Sequence, residues 1–371
     1  MGDFLTRGQP QALALVRRAV DSERPPHALL LVGPAGVGKT TLAVDLAAGL
    51  LCLAEEPQAR PCRECAACRK VAHGNHPDLH RLAPEGAGQQ IRVGQVQALA
   101  AELALLPLEG RYRIAIIESA QRLNVDAQNA LLKTLEEPPA RVVLVLAADD
   151  SATLLPTVIS RCARVRLGPV AGEAIAELLA DAGVADASRG AALGRLAAGR
   201  PGLALALAAQ PEASLIQARL ARSLLDLLGA ARRRRLAAQS ELLADAAELA
   251  RATAGRSDDD DTERRPTRTS ASAKVSPAER RAAAAQLLAV WRDVARDLAV
   301  ATRGGGRELR QTELLDELAA AGATVDSAAA SDFLERIDSV TRALDAYANP
   351  ELAVDALLLA WPRLNGAGAA A

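Results

Sequence analysis

The stretch Leu29 to Thr41, LLLVGPAGVGKTT, places Lys39, Thr40 and Thr41 directly behind Gly33, Gly36 and Gly38. An apolar run enters this loop and the helical pattern LAVDLAAGLL leaves it, which is the strand-to-helix setting of a Walker A loop. Glycines let the backbone N–H groups from Gly36 through Val37 and Gly38 turn inward around a polyphosphate. Lys39 can reach the β and γ phosphates and the Thr40 hydroxyl can hold Mg²⁺, so ATP or ADP with Mg²⁺ is the ligand these residue types suit. A second group follows at Cys52, Cys62, Cys65 and Cys68, spaced C-x9-C-x2-C-x2-C. Four thiolates with no open position suit a structural Zn²⁺. An iron–sulfur cluster also uses clustered cysteines, but the fourth ligand here lies upstream and no redox-partner motif accompanies it.

The elements that must position these groups follow from periodicity. Gln9 to Ser22 has helical spacing and is stopped by Pro25-Pro26. Ile114 to Ile117 is a buried strand that ends in Glu118-Ser119. In a P-loop protein this is the Walker B position, where Glu118 can take the magnesium role while Ser119 cannot orient water as a carboxylate does. Val125 to Glu137 is an amphipathic helix stopped by Pro138-Pro139, and Val142 to Ala147 is a third buried strand. Alternating strand and helix patterns predict an α/β layer with a parallel sheet. His73, His76 and His80 read as loop and surface residues.

The 371-residue chain is long enough for two or three domains; half its residues are apolar but only 2% are aromatic, so Ala, Leu and Val must build helical cores. A formal charge of −1 argues against a duplex-binding protein acting alone. No uncharged apolar run reaches membrane-spanning length and the chain opens on no signal peptide, so a cytoplasmic location is expected, with no membrane partner.

The ordered set of the P-loop, the four-cysteine excursion, NALLKTLEEPP, LLPTVISRC and the tail NPELAVDALLL resembles the bacterial DNA polymerase III clamp-loader subunits, delta-prime and tau/gamma, over most of the chain. The resemblance implies an AAA+ domain and hetero-oligomeric partners: tau/gamma and delta subunits in a pentameric loader. The sliding clamp and primer-template DNA would be reached through that complex. It also implies that Arg161, in Ser160-Arg161-Cys162, is an arginine finger acting on a neighbouring subunit's nucleotide. Tau/gamma motors carry an Asp-Glu pair in Walker B, a threonine sensor after the third strand, and a Gly-Ser-x-Arg sensor. This chain has Glu118-Ser119, Ala147-Ala148-Asp149 and Gly199-Arg200-Pro201-Gly202 at those places. These departures resemble the delta-prime stator: a subunit that binds ATP, hydrolyses it poorly, and belongs to the holoenzyme of a DNA-directed DNA polymerase. The alternative is a self-sufficient AAA+ motor of the tau/gamma kind.

The predicted division is an AAA+ domain at 1–168 with a zinc module inserted at about 52–70, a small helical lid at 169–210, and a helical collar domain at 211–371. Leu215 to Ala250 reads as one or two amphipathic helices, and the basic run Arg232 to Arg235 as a solvated face. Residues 255–275 have almost no apolar content and are expected to be disordered. Ser276 with Glu279 and Pro277 marks a helix start.

Overall fold

The computed structural model describes residues 2–84, 90–253 and 276–364. The expected disordered stretch at 255–275 lies outside the described residues. Two compact units emerge, one of Met1–Leu178 with Ala198–Gly202 and one of Leu179–Ala197 with Leu203–Ala371.

The first unit is built on five parallel strands: β1 (Ala28–Val32), β2 (Leu79–Leu82), β3 (Arg113–Ile117), β4 (Val142–Ala148) and β5 (Ala163–Arg166), in the order β2-β3-β4-β1-β5. The register places Leu29 beside Val145 and Ile116 beside that same Val145, with Leu30 beside Arg164 of β5. Successive residues of a strand face opposite sides, and here both sides are apolar. Leu29, Leu31, Ile114, Ile116, Val143 and Val145 pack with α1 (Pro10–Asp21) and α2 (Lys39–Leu51) on one face. Leu30, Ala115, Ile117, Leu144 and Leu146 pack on the other with α4 (Val93–Leu103), α5 (Val125–Glu136) and α6 (Pro156–Ile159). Covering both faces is what a parallel sheet requires, and it explains the unbroken apolar runs in the central strands. The remaining helix of this layer, α3 (Ala66–Ala72), carries part of the cysteine cluster. This is the expected α/β layer with a parallel sheet.

Two strands were not expected. LHRL and ARVR are four-residue edge strands with little buried surface, so charge interrupts the apolar signal. His76 is also a correction. It is 3% exposed, with Nδ1 accepting from the Asp78 N–H at 3.1 Å, because the turn into β2 is packed rather than solvated. Asp78 is fully buried and accepts from the backbone N–H groups of Leu108, Glu109 and Gly110 at 2.7 to 2.8 Å. It thereby fixes the turn that leads into β3.

After β5 the described chain is helical: α7 (Gly172–Asp181), α8 (Ala187–Leu196), α9 (Pro201–Ala209), α10 (Pro211–Asp226), α11 (Arg232–Ala237), α12 (Gln239–Thr253), α13 (Pro277–Ala301), α14 (Leu315–Gly322), α15 (Ser327–Asp345) and α16 (Pro350–Ala360). Ser276 caps α13 as its sequence predicts: Glu279 N–H donates to Ser276 Oγ at 3.2 Å and Ser276 N–H to Glu279 Oε2 at 2.7 Å. In the second unit α13 is central, and its Trp291 meets Phe333 and Trp361 with ring centroids 5.6 and 5.5 Å away. Trp361 Nε1 donates to the Leu224 carbonyl at 2.9 Å, so the buried indole keeps a partner.

The basic run needs a second correction. Arg235 is fully buried. Its guanidinium donates to the carbonyls of Ala230 at 3.1 Å, Leu228 at 2.9 Å and Pro362 at 2.8 Å, and also to that of Trp361. A short helix turns it inward to collect carbonyls that lie past two helix ends, a task that suits the planar fork of arginine. Burial pushes its pKa down to about 10, which leaves it charged at neutral pH.

Candidate nucleotide loop and cysteine cluster

The loop leaves β1 at its C-terminal end, between β4 and β5. Gly33 N–H donates to the Ala148 carbonyl at 3.2 Å, and a Cβ at Gly33 would lie 2.2 Å from the Leu167 oxygen, so only glycine fits there. Gly36 and Gly38 adopt φ of +79° and +99°, conformations that bring successive amides to one side and that L side chains resist. Val37 between them is buried in the core and anchors the loop, Thr40 is half-buried and Thr41 exposed. The loop is the cradle that a phosphate needs.

Lys39 is 9% exposed and all three of its protons have acceptors: the carbonyls of Gly33 at 2.7 Å and Pro34 at 2.8 Å, and Asp149 Oδ1 at 2.7 Å. Asp149 follows β4. It is gripped in turn by Gln121, whose Nε2 donates to Asp149 Oδ2 at 2.9 Å and whose Oε1 accepts from the Asp149 N–H at 3.2 Å. At the end of β3, Glu118 is turned toward β2: Arg81 donates to Glu118 Oε1 from Nε at 2.8 Å and from Nη2 at 2.6 Å. Ser119 follows in the left-handed region at φ 53°. The two residues a motor would use for magnesium and water are therefore an acid held by an arginine and a hydroxyl. The turn after Gly199 lies against the loop, with Gly202 N–H donating to the Gly36 carbonyl at 3.4 Å; a Cβ on Gly36 would come 3.3 Å from Arg200 Cβ.

Arg161 stands just past α6, with Nη2 2.7 Å from Glu136 Oε1 at the end of α5 and Nη1 donating to the Thr157 carbonyl at 3.0 Å. Its guanidinium is about one-third exposed. Cys162 beside it is a half-buried thiol whose pKa burial raises to about 11, which suits packing rather than reactivity.

The four predicted thiols converge. Cys52 caps the C-terminus of α2, Cys65 caps the N-terminus of α3, and the Sγ atoms of Cys52, Cys62, Cys65 and Cys68 all lie within 4.8 Å of one another. Tetrahedral thiolates around zinc stand ~3.8 Å apart, from a Zn–S bond of about 2.3 Å; Cys52 Sγ is 3.5 Å from Cys62 Sγ and 4.0 Å from Cys65 Sγ. Backbone N–H groups of Ala54, Cys65 and Cys68 point at the sulfurs of Cys52, Cys62 and Cys65 at 3.4 to 3.5 Å, which favours the charged form. Burial alone would push the Cys65 thiol up, but the backbone N–H groups of Leu53 and Cys68 and the neighbouring thiols bring it down to about 7; burial raises Cys52 and Cys68. A divalent cation supplies what is missing for all four to ionise, so the donor set fits a structural metal such as zinc. The module is fixed to α2: Arg63 pairs with the buried Asp45, which also accepts from Leu5 N–H, Thr6 N–H and Thr6 Oγ1 at 2.6 to 3.0 Å.

Comparison with known sequences bears on this arrangement. The profile of the family described as "DNA polymerase III, delta subunit" matches residues 8–171, the whole of the sheet, loop and cysteine cluster. Residues 8–171 are thus similar to that family. DNA polymerase III subunit delta' of Bacillus subtilis (strain 168) is 37% identical over 171 residues, covering 46% of this chain and 51% of the relative. Subunit delta' of Pseudomonas aeruginosa (strain PAO1) is 47% identical over 137 residues, 37% of this chain and 41% of the relative. Subunit tau/gamma of Haemophilus influenzae (strain Rd) is 35% identical over 160 residues, 43% of this chain and 23% of the relative. The chain thus spans about half or less of the length of these relatives.

The structure brings together Gly33, Gly36, Val37, Gly38, Lys39 and Thr40 as one loop and the four cysteines as another group. Glu118 does not face Lys39 in this arrangement. Arg81, Gln121 and Glu136 escaped the sequence reading because ordinary surface residue types carry no spacing signal. Asp149 was placed near the first sensor, but its partner lies 110 residues away.

Proposed function

We propose that this chain is the delta-prime stator of a bacterial DNA polymerase III clamp loader. It would help to load the sliding clamp onto primer-template DNA in complex with tau/gamma and delta subunits. The similarity of residues 8–171 to delta' subunits supports the family role. One observation carries the stator reading: Ser119 stands where a motor needs a second carboxylate, and Glu118 is held by Arg81. The nucleotide loop then grips ATP or ADP, with Thr40 available to Mg²⁺, and turns it over slowly. Arg161 contributes the charge that a neighbouring subunit's triphosphate needs during phosphoryl transfer. Zinc at Cys52, Cys62, Cys65 and Cys68 is structural.

The test is ATP hydrolysis by the complex reconstituted with tau/gamma and delta. Arg161→Ala should lower turnover by roughly a hundredfold or more; unchanged turnover refutes the finger. The intact loop from Gly33 to Thr40 favours a second reading, a self-sufficient AAA+ motor. Brisk hydrolysis by the purified chain alone would select that reading over the stator.

A further inference from the structure

Asp149 is the one acid joined directly to Lys39 among the described residues, and it sits on a particular side of the loop. In a P-loop the backbone amides cradle the α and β phosphates, while the lysine reaches the β phosphate and on to the γ phosphate of a triphosphate. Here β4 is one of the two strands next to β1, and the Asp149 carboxylate extends from just past its end to Lys39 Nζ at 2.7 Å.

We infer that Asp149 is a specificity-determining residue, a built-in anion in the place of a third phosphate, which makes this loop select nucleoside diphosphates over triphosphates. The inference rests on the proposal that the loop binds nucleotide. Three features carry it. The three protons of Lys39 are already accepted by Gly33, Pro34 and Asp149, so a terminal phosphate gains its lysine only by displacing a partner. Asp149 is held from both its side chain and its backbone by Gln121, so moving it aside breaks two more hydrogen bonds. A carboxylate left in place next to a γ-phosphate is a like-charge contact in a partly desolvated cleft, where repulsion is strong. A diphosphate avoids the last of these costs, because it has no third phosphate to set against the Asp149 carboxylate and the loop's amides can hold its two phosphates.

The experiment is titration of fluorescent ADP and ATP analogues against the full-length chain, with EDTA and again with Mg²⁺, for the unaltered protein and for Asp149→Asn and Lys39→Ala. Asp149 is 45% exposed, and Asp149→Asn keeps its volume and a partner for Gln121. The unaltered chain should bind the diphosphate about tenfold more tightly or better. Asp149→Asn should erase that preference by tightening the triphosphate, with the diphosphate moved by less than about threefold. Equal affinity for both nucleotides in the unaltered chain overturns the inference and leaves the loop a nucleotide site. Weaker Mg²⁺–triphosphate binding in Asp149→Asn also overturns it, because Asp149 would then be a magnesium ligand. If neither nucleotide binds any of the three proteins, the nucleotide reading of the loop falls, and the inference falls with it.

Discussion

Arg81 Nη2 lies 2.6 Å from Glu118 Oε1, joining the edge strand β2 to the end of β3. The pair is half open to solvent, so it adds little to stability, roughly 0.2–1 kcal/mol. Its effect is on direction: the carboxylate is drawn along the sheet toward the edge strand, away from the lysine of the loop.

That geometry predicts how hydrolysis would respond to repair. Ser119→Glu alone should change ATP turnover by the isolated chain by less than about threefold, because the adjoining acid stays with Arg81. Ser119→Glu combined with Arg81→Ala should raise it by roughly tenfold or more. A single-turnover measurement on the unaltered chain and the two variants decides; a full gain from Ser119→Glu alone would show that Arg81 plays no part.

The cysteine cluster should hold one equivalent of zinc by elemental analysis. Cys65→Ser or Cys68→Ser should abolish that content and lower the thermal midpoint, because a metal shared by the four thiols ties the end of α2 to α3. Metal binding demands thiolates, so with Cys52 and Cys68 raised and Cys65 near 7, zinc affinity should weaken steadily as the pH falls and through about 7, releasing metal with proton uptake. A chromogenic chelator followed across pH reads this directly.

Asp78 makes a separate contribution to acid stability. Burial opposes its ionisation, but the amides of Leu108, Glu109 and Gly110 outweigh that and hold its pKa below the ordinary 3.8. A folded value below the unfolded one contributes stability that is complete above pH ~4 and disappears as the pH drops through the folded value. Asp78→Asn should cost ~3 kcal/mol at neutral pH. Denaturant melts should show the gap between the two proteins narrowing below pH ~4.

Arg235→Lys should destabilise the helical unit by roughly 2–3 kcal/mol, even though charge is kept. Three ammonium protons cannot reach the carbonyls that the guanidinium serves past both helix ends. Chemical denaturation followed by fluorescence of Trp291 and Trp361, which pack in the same unit, is the readout.

How much of this was legible in the residues differs from element to element. The central strands β1, β3 and β4 are apolar without interruption because helices cover both faces, and that pattern survives in the sequence. The loop and the four cysteines are local in sequence, so spacing alone groups them. The edge strands β2 and β5 were invisible, since LHRL and ARVR alternate short apolar and charged residues like any surface segment. Arg235 was misread because three of the four arginines in its run are indeed exposed, and only the register of a six-residue helix turns the fourth inward. The contacts of Lys39 with Asp149 and of Glu118 with Arg81 depend on strand order, which no local pattern contains.

Lys39 is the first residue of α2, and Cys52 follows its last. The helix is a strut of about 20 Å, at 1.5 Å per residue, whose backbone hydrogen bonds resist bending. Phosphate at one tip and metal at the other would therefore push on a common rigid body. Any influence that metal loading has on the grip for nucleotide must return with equal magnitude in the opposite direction, so two isotherms, each recorded with the other ligand present and withheld, measure the stiffness of that strut.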